Sequence, residues 1–189
     1  MNERVGLRGV EAAFYRGEIT LIKSEAGPAR KAFLRLLAGQ THPDRGRVVR
    51  SCDAAPPPGV AWGFPANIPV RRSLEVRAGF FGVCRRAYVA RLAEHMKDPR
   101  ALSEPFSALG GRDRALITFL SAWLLPAEFF VFDPRPAPTD PELRDLIEPY
   151  WRAAREGAAL VGLIDHKMPI GGFAADHVWR LESGRLVHE

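Results

Sequence analysis

Three short apolar runs set the class of fold that this chain can adopt. They are GEITLIK at residues 17–23, EFFVF at 128–132 and AALVGLI at 158–164. The second is bounded by Pro and Asp and has no polar alternation, which is typical of a strand buried on both faces of a sheet. The other two fit buried strands as well. A sheet with both faces covered needs helices between its strands.

Helical patterns do separate these strands. Residues 30–38 place apolar side chains at helical spacing, and Gly39 follows as a stop signal. Further helices are predicted at 73–96 (two short helices around Gly82), at 112–125 and from Asp140 onward. Strands that alternate with helices predict an α/β fold with a mostly parallel sheet.

Shorter elements are predicted elsewhere. Residues 45–49 and 59–64 have the composition of short strands, and Phe14 with Tyr15 is expected in a strand that contributes to the core. The C-terminal HVWRLESGRLVHE predicts a hairpin that turns at residues 183–184, giving the sheet a small antiparallel part.

Composition narrows the class of protein. The chain has 189 residues, of which 47% are hydrophobic and 26% charged, so one ordered domain at 1–189 is expected. No apolar run approaches the roughly 18 residues of a membrane span, and the first residues do not resemble a secretory signal. Cys52 and Cys84 lack metal or disulfide spacing, which favours free thiols in a cytosolic protein.

The positive charge of the chain comes almost entirely from arginine. The formal net charge is +5, and only four of the 27 basic residues are lysines. The arginines are scattered, with close pairs only at Arg71–Arg72 and Arg85–Arg86, so a nucleic-acid partner is not expected. The interpretations left open are an ordinary solvated surface and a basic face that meets a membrane surface or an acidic partner.

A loop of the kind that holds phosphates lies between the first strand and the first helix. It is SEAGPARKA at residues 24–32, followed by FLRLLAG. The segment resembles the nucleotide-binding subunits of ABC transporters, whose loop is GxxGxGK[ST] before a similar LLRLLAG helix. Gly27 is retained, whereas Ser24 and Ala29 replace the other two glycines.

The charged positions of this loop depart from the family. Arg30 stands where the resemblance places the phosphate-binding lysine, and Lys31 replaces the hydroxyl residue that holds Mg²⁺. A shift of one residue would make Lys31 the phosphate ligand and leave Ala32 without a hydroxyl. Pro28 lacks an N–H donor and Glu25 adds a negative charge, so we expect binding of ATP and Mg²⁺ to be weak or absent.

A second family motif is similar to residues 108–114. ALGGRDR resembles the signature LSGGQxR, with Gly110 and Gly111 retained. Leu109 replaces the serine and Arg112 the glutamine. In this family the signature contacts the nucleotide of the partner subunit, so the resemblance implies a contribution in trans.

The remaining motifs follow in the family order. FFVFDP at 129–134 is similar to the Walker B strand, which implies that Asp133 would hold Mg²⁺ and that Pro134 replaces the catalytic glutamate. Asp140 has the spacing of the D-loop aspartate, and His166 that of the switch histidine. Structural interpretations remain open for these residues, since Asp133 and Asp140 could cap local structure and His166 could belong to a loop.

Together these motifs imply a P-loop NTPase fold of the ABC ATPase type, with a short helical subdomain at about 66–125. The function that the resemblance implies is a degenerate ATP-binding subunit with impaired hydrolysis. The alternatives are an active divergent ATPase and a stand-alone binding module of the same fold.

The middle of the chain suggests a branch of the family. VAWGFPANIPVRRSLEVRAGFF at residues 60–81 is similar to the exporters of capsular polysaccharide and O-antigen. This resemblance implies a membrane permease as partner, a homo- or heterodimer with another ATPase subunit, and a peripheral position on the cytoplasmic face of the inner membrane.

Overall fold

The computed structural model describes residues 6–58, 61, 63–133, 148–165 and 174–189. The chain divides into two units. The first comprises Met1–Pro57, Ala127–Ala137 and Tyr150–Glu189, and the second comprises Pro58–Pro126 and Pro138–Pro149. The second contains the segment for which a helical subdomain is predicted; that the 189 residues form one domain stays a prediction.

A five-stranded sheet forms the first unit. Its strands are β1 (Ile19–Ser24), β2 (Phe129–Phe132), β3 (Ala159–Ile164), β4 (His177–Glu182) and β5 (Arg185–His188). They lie in the order β2-β3-β1-β4-β5, and every neighbouring pair is parallel except β4 and β5. This arrangement confirms the predicted α/β fold with a mostly parallel sheet and a small antiparallel part.

The apolar runs form the interior of that sheet. β3 is buried along its whole length, and β1 is buried except at Lys23. Gly162 lies opposite Leu21 in the β1–β3 register, and a Cβ added at Gly162 would come within 2.8 Å of the Leu21 Cδ2 atom. The absence of a side chain at Gly162 therefore lets the Leu21 side chain fill the core.

The two described helices of the first unit are α1 (Pro28–Leu37) and α5 (Glu148–Arg155). α1 buries Phe33, Leu34 and Leu37, as its spacing predicts. It ends before Gly39, whose φ of 73° is the left-handed conformation that favours glycine.

Asp176 fixes the strand ends of the first unit. Its carboxylate accepts the backbone N–H of Ile19 at 2.8 Å and also pairs with Arg155 at 2.9 Å. The Ile19 N–H and the Arg155 guanidinium hold the pKa of Asp176 below its ordinary value. The hairpin that follows turns at Ser183 and Gly184, with φ values of 47° and 78°, as predicted.

Helices form the second unit. They are α2 (Val70–Phe80), α3 (Arg85–Ala93) and α4 (Gly111–Trp123), with 3₁₀ turns at Pro99–Ser103 and Phe106–Ala108. Gly82 separates α2 from α3, and α4 ends shortly before Pro126, as predicted. The core is a continuous cluster of apolar side chains contributed by all three helices.

A buried arginine is part of that second core. The Arg77 guanidinium lies 4.6 Å from the centre of the Phe64 ring and donates to Ser121 Oγ at 2.5 Å. The Tyr88 hydroxyl donates to the Ser121 carbonyl, and burial raises the pKa of Tyr88 to about 12. These polar groups therefore satisfy one another inside the unit.

Some predicted elements differ from the structure. Residues 45–49 are not a strand, because Val48 and Val49 are 39% and 79% exposed and no neighbouring strand pairs with them in the described part of the chain. Tyr15 is 63% exposed, and neither Phe14 nor Tyr15 lies in a strand.

Two further predictions cannot be compared residue by residue. Part of the predicted strand at 59–64 lies outside the described residues, and so does the start of the helix predicted from Asp140. Among the residues that the structure describes, no helix combines the length and apolar character needed to cross a membrane.

Candidate functional site

The connection from β1 to α1 is short. β1 ends at Ser24, and α1 begins at Pro28 in its first turn, where the missing N–H costs nothing. Gly27 precedes the helix in a fully extended conformation (φ 176°), and no side chain caps the helix start. The loop that could wrap a phosphate thus consists of three exposed residues, 25–27.

Arg30 turns inward from the first turn of α1. Its side chain is 1% exposed, which makes it one of the largest fully buried side chains of the described structure. Nη1 donates to the Ser24 carbonyl at 2.9 Å, to Ser24 Oγ at 3.2 Å and to the Ile164 carbonyl at 2.8 Å. Nη2 donates to the Leu163 carbonyl and to Asp133 Oδ1, the latter at 2.6 Å.

The Arg30 side chain therefore spans the carboxyl end of the sheet. Ser24 ends β1, Ile164 ends the neighbouring strand β3, and Asp133 follows β2 on the far side of β3. In open α/β sheets this edge is where ligands bind. Here a side chain of the chain itself fills the position between these strand ends.

The ion pair between Arg30 and Asp133 is buried on both sides. The two side chains are 1% and 6% exposed, and the 2.6 Å separation is that of a charge-assisted hydrogen bond. Both charges are largely removed from water, and each compensates the other. Replacement of either partner alone should therefore lower the free energy of unfolding strongly.

The remaining loop residues point away from this network. Lys31 is exposed, and Ala29 and Ala32 are partly exposed. Of the two registers that the sequence leaves open, the structure thus puts the inward cation at Arg30 and leaves Lys31 at the surface. Glu25, the acidic residue of the loop, is exposed.

This donor set does not fit a divalent cation. Mg²⁺ requires oxygen ligands in octahedral geometry, but the near oxygen of Asp133 accepts from a guanidinium, and Lys31 has no oxygen to offer. Within the described ranges, no three His, Cys, Asp or Glu side chains group as a metal site. A cation next to Asp133 would first have to displace the charge of Arg30.

The signature-like turn is exposed at the start of α4. Gly110 precedes the helix and Gly111 is its first residue, and a Cβ added at either would meet no atom within 4 Å. Leu109 is 5% exposed and belongs to the core of the second unit. The Arg114 side chain stabilises this turn, because its Nε donates to the Leu109 carbonyl at 2.7 Å.

Three predicted site residues lie outside the described residues, namely Pro134, Asp140 and His166. Among the described ones, the structure brings Arg30 and Asp133 together. Sequence reasoning missed the partners of Arg30 in β1 and β3. These partners could have been found from the sequence, because Ser24 and Ile164 both end predicted strands next to the predicted site. Their carbonyls therefore lie at the same carboxyl edge of the sheet.

Comparisons with known proteins give relatives along nearly the whole chain. The chain is 30% identical over 199 residues to the aliphatic sulfonates import ATP-binding protein SsuB of Mycobacterium avium, covering 97% of this chain and 74% of the relative. It is 28% identical to the zinc import ATP-binding protein ZnuC of Halorhodospira halophila, covering 96% and 70%. No protein-family model matches the chain.

Solved structures are similar in fold. One described as the ATP binding subunit of an ABC transporter superposes with a TM-score of 0.74 at 18% identity, over 95% of this chain and 81% of that one. The RNase-L Inhibitor superposes with a TM-score of 0.64 at 17% identity, over 92% and 35%. These identities establish the fold alone.

Proposed function

Because the chain belongs to the family of ABC-transporter ATP-binding subunits, we propose that it is a subunit whose own nucleotide site is closed by the Arg30–Asp133 ion pair. In this proposal the protein acts as the structural or regulatory half of a dimer, and hydrolysis takes place in another subunit. The fold is that of the family, whereas the Arg30 side chain of the protein itself occupies the nucleotide site.

The observation that carries the proposal is the direction of the Arg30 side chain. A phosphate ligand has to point into the space that the nucleotide would fill, but Nη1 and Nη2 of Arg30 donate to Asp133 and to carbonyls of β1 and β3. Asp133 is therefore neutralised by a protein cation in the place where the family uses Mg²⁺. Both groups would have to be released before a metal–nucleotide complex could bind.

The alternative of an active divergent ATPase has less support. It needs either Arg30 or Lys31 to bind phosphate, and Arg30 is buried while Lys31 is exposed. It also needs a base at the position of Pro134, which has no proton-accepting side chain. Loss of one such group alone typically lowers the rate by orders of magnitude.

The proposal includes the other parts of a transport system, without naming the transported substrate. We place the protein beneath a membrane permease, on the cytoplasmic face of the membrane, as a partner of a second ATPase subunit. The relatives named above are import proteins for sulfonates and zinc. The polysaccharide-exporter branch depends on the resemblance of residues 60–81, of EFFVFDPRPAPTD at residues 128–140 and of the short segment before ALGG, and it stays a prediction.

The first test is a measurement of ATP hydrolysis and binding by the purified protein. We expect no Mg²⁺-dependent hydrolysis above background and no saturable binding of a fluorescent ATP analogue in the micromolar range. The reason is the occupied Asp133 together with the missing hydroxyl and base. Turnover in the usual enzyme range of ~1–10³ s⁻¹ that disappears in Asp133→Asn would contradict the proposal.

Pairing with an intact subunit is supported by the exposed turn at Gly110 and Gly111. Neither glycine has a positive φ, and neither is crowded by a described atom, so nothing in the described chain itself requires glycine there. Backbone N–H groups at the start of α4 remain available to a partner's phosphate. Because Leu109 is buried, the contribution is limited to these backbone groups.

The second test mixes this protein with an intact ATPase subunit and measures hydrolysis by the mixture. Gly111→Asp should lower that activity by roughly tenfold, because a carboxylate repels the incoming phosphate at close range. Gly111→Ala is the matched control, since its Cβ meets no atom within 4 Å and adds no charge. Equal activity of both variants in a dimer that still forms would show that the turn is not used.

A further inference from the structure

The last strand of the sheet has an open outer edge. β5 stands at the end of the strand order, and among the described strands it pairs with β4 alone. Arg185 and His188 are exposed, and Val187 is 55% exposed. Natural sheets usually protect such an edge with a proline, a bulge or a covering element. β5 contains no proline, and within the described ranges no strand covers its outer side.

The hydrogen bonds of the hairpin identify the backbone groups that face outward. The Glu189 N–H donates to the Val178 carbonyl at 2.9 Å, so these two residues form a hydrogen-bonded pair. Hydrogen-bonded pairs alternate along antiparallel strands, so the residues two and four positions before Glu189 also bond to β4. The N–H and C=O groups of Leu186 and His188 are therefore directed away from β4, where another strand could bond to them.

A contact at the start of β5 limits the register in which a second copy of the strand can add. The Arg8 N–H donates to the Gly184 carbonyl at 2.8 Å, at the turn before β5. An antiparallel copy of β5 centred on Leu186 would pair Gly184 with His188 and would need that carbonyl. A copy centred on Val187 pairs Leu186 with His188 and leaves the contact with Arg8 in place.

The charges of β5 favour the same register. Arg185 and Glu189 lie on one face of the strand, two positions to either side of Val187. In an antiparallel pair centred on Val187, Arg185 of each copy lies opposite Glu189 of the other copy. In-register parallel pairing would instead place arginine beside arginine and glutamate beside glutamate, which is unfavourable. The strand is therefore complementary to itself in one arrangement.

Glu189 is held in position as a carboxylate. Lys23 Nζ donates to its Oε2 atom, and Arg180 Nη2 donates to its Oε1 atom at 2.6 Å. These hydrogen bonds hold the pKa of Glu189 below its ordinary value. On the same face Glu182 lies opposite Arg185 in the β4–β5 register. Positive and negative groups thus alternate up to the outer edge, and a second copy would continue the alternation.

We propose that two copies of this chain associate through their β5 edges, as an antiparallel pair centred on Val187. Leu186 of each copy exchanges both backbone hydrogen bonds with His188 of the other, which joins the two sheets into one. A single strand pair buries less surface than a standard interface of about 1,200–2,000 Å², so the association is reversible. The contact uses neither the Arg30–Asp133 pair nor the signature-like turn, so it does not depend on the proposed function.

The test is the oligomeric state of the full chain, measured by sedimentation velocity over a range of protein concentrations. We expect a monomer at low concentration and a dimer at high concentration. Arg185→Glu should weaken association at least about tenfold, because like charges replace opposite charges in both symmetric pairs. An equimolar mixture of Arg185→Glu and Glu189→Arg should associate again, since each altered side chain then meets an opposite charge. Arg47→Glu, at another exposed position of the first unit, is the control with the same change in net charge.

A proline variant tests the backbone hydrogen bonds. His188→Pro removes an outward N–H without removing a bond to β4, and it should weaken association about tenfold. His188→Ala loses the same imidazole but keeps the N–H, so it should associate nearly as well as the unaltered protein. Circular dichroism and thermal unfolding of all variants establish first that the fold is retained.

A disulfide tests the register. In the proposed pair the two Val187 Cα atoms are about 4.5 Å apart, a separation that a disulfide can bridge. Mild oxidation of Val187→Cys should therefore give a covalent dimer linked at residue 187, as identified by peptide mass spectrometry. Val49→Cys, at a position that is 79% exposed, should give no such dimer. A monomer at all concentrations, equal effects of Arg185→Glu and Arg47→Glu, or the absence of the link at residue 187 would each overturn the proposal.

Discussion

The Arg30→Ala variant is expected to lose about 3–5 kcal/mol of unfolding free energy, because it leaves the Asp133 carboxylate buried without its counter-charge. The carbonyls of Ser24 and Ile164 lose their donor in the same step. For a chain of this length the loss corresponds to a fall in melting temperature of roughly 10 °C. Thermal and urea unfolding measured by circular dichroism give both quantities.

The neighbouring exposed cation is the control for this experiment. Lys31→Ala removes the same charge from the next position of α1 and should change stability by less than about 0.5 kcal/mol. A double-mutant cycle with Asp133→Ala then isolates the pair, and we expect removal of the second partner to cost much less than removal of the first. If Arg30→Ala and Lys31→Ala have similar melting temperatures, Arg30 does not close the site in solution.

Rebuilding the phosphate loop should have the largest effect on nucleotide binding. The rebuilt variant carries Ser24→Gly, Glu25→Pro, Pro28→Ala, Ala29→Gly, Arg30→Lys and Lys31→Ser. It removes the guanidinium from Asp133, restores an N–H donor at residue 28 and supplies a hydroxyl for Mg²⁺. We expect ATP affinity to rise at least about tenfold, since one hydrogen bond to a charged group is worth about 1.5–3 kcal/mol.

The informative control keeps Arg30 and makes the other five changes. In that variant the ion pair with Asp133 persists, so ATP affinity should stay close to that of the unaltered protein. Titration with a fluorescent ATP analogue, with and without Mg²⁺, compares the three proteins. Equal gains in the five- and six-residue variants would mean that the loop glycines, and not Arg30, keep the nucleotide out.

The sheet could be predicted because the amino-acid composition of its strands indicates that both of their faces are buried. β2 and β3 are apolar on both faces and are bounded by Pro, Gly or Asp, so only a covered sheet satisfies them. Residues 45–49 have the same β-branched character, but strand pairing depends on a neighbour that local sequence does not reveal. Val48 and Val49 accordingly remain exposed in an irregular segment.

The site was only half predictable for a related reason. Motif order identified Arg30 and Asp133 as residues of one site, but a motif gives the position of a residue and not the direction of its side chain. An arginine in that loop could equally reach outward to a phosphate or inward to carbonyls and a carboxylate. The choice depends on β3 lying between β1 and β2, which is a property of strand order.

That strand order also dictates when each part of the protein can form during synthesis. Residues 58–126, which make up most of the second unit, leave the ribosome as one stretch and can pack while the chain is still growing. β1 is made early, yet both of its neighbours, β3 and β4, belong to the last part of the chain. Asp133 is synthesised 103 residues after Arg30, and Ile164 is synthesised 134 residues after it. A nascent chain therefore exposes the apolar residues of β1 and the Arg30 cation for most of translation, and chaperones have that whole interval in which to engage them.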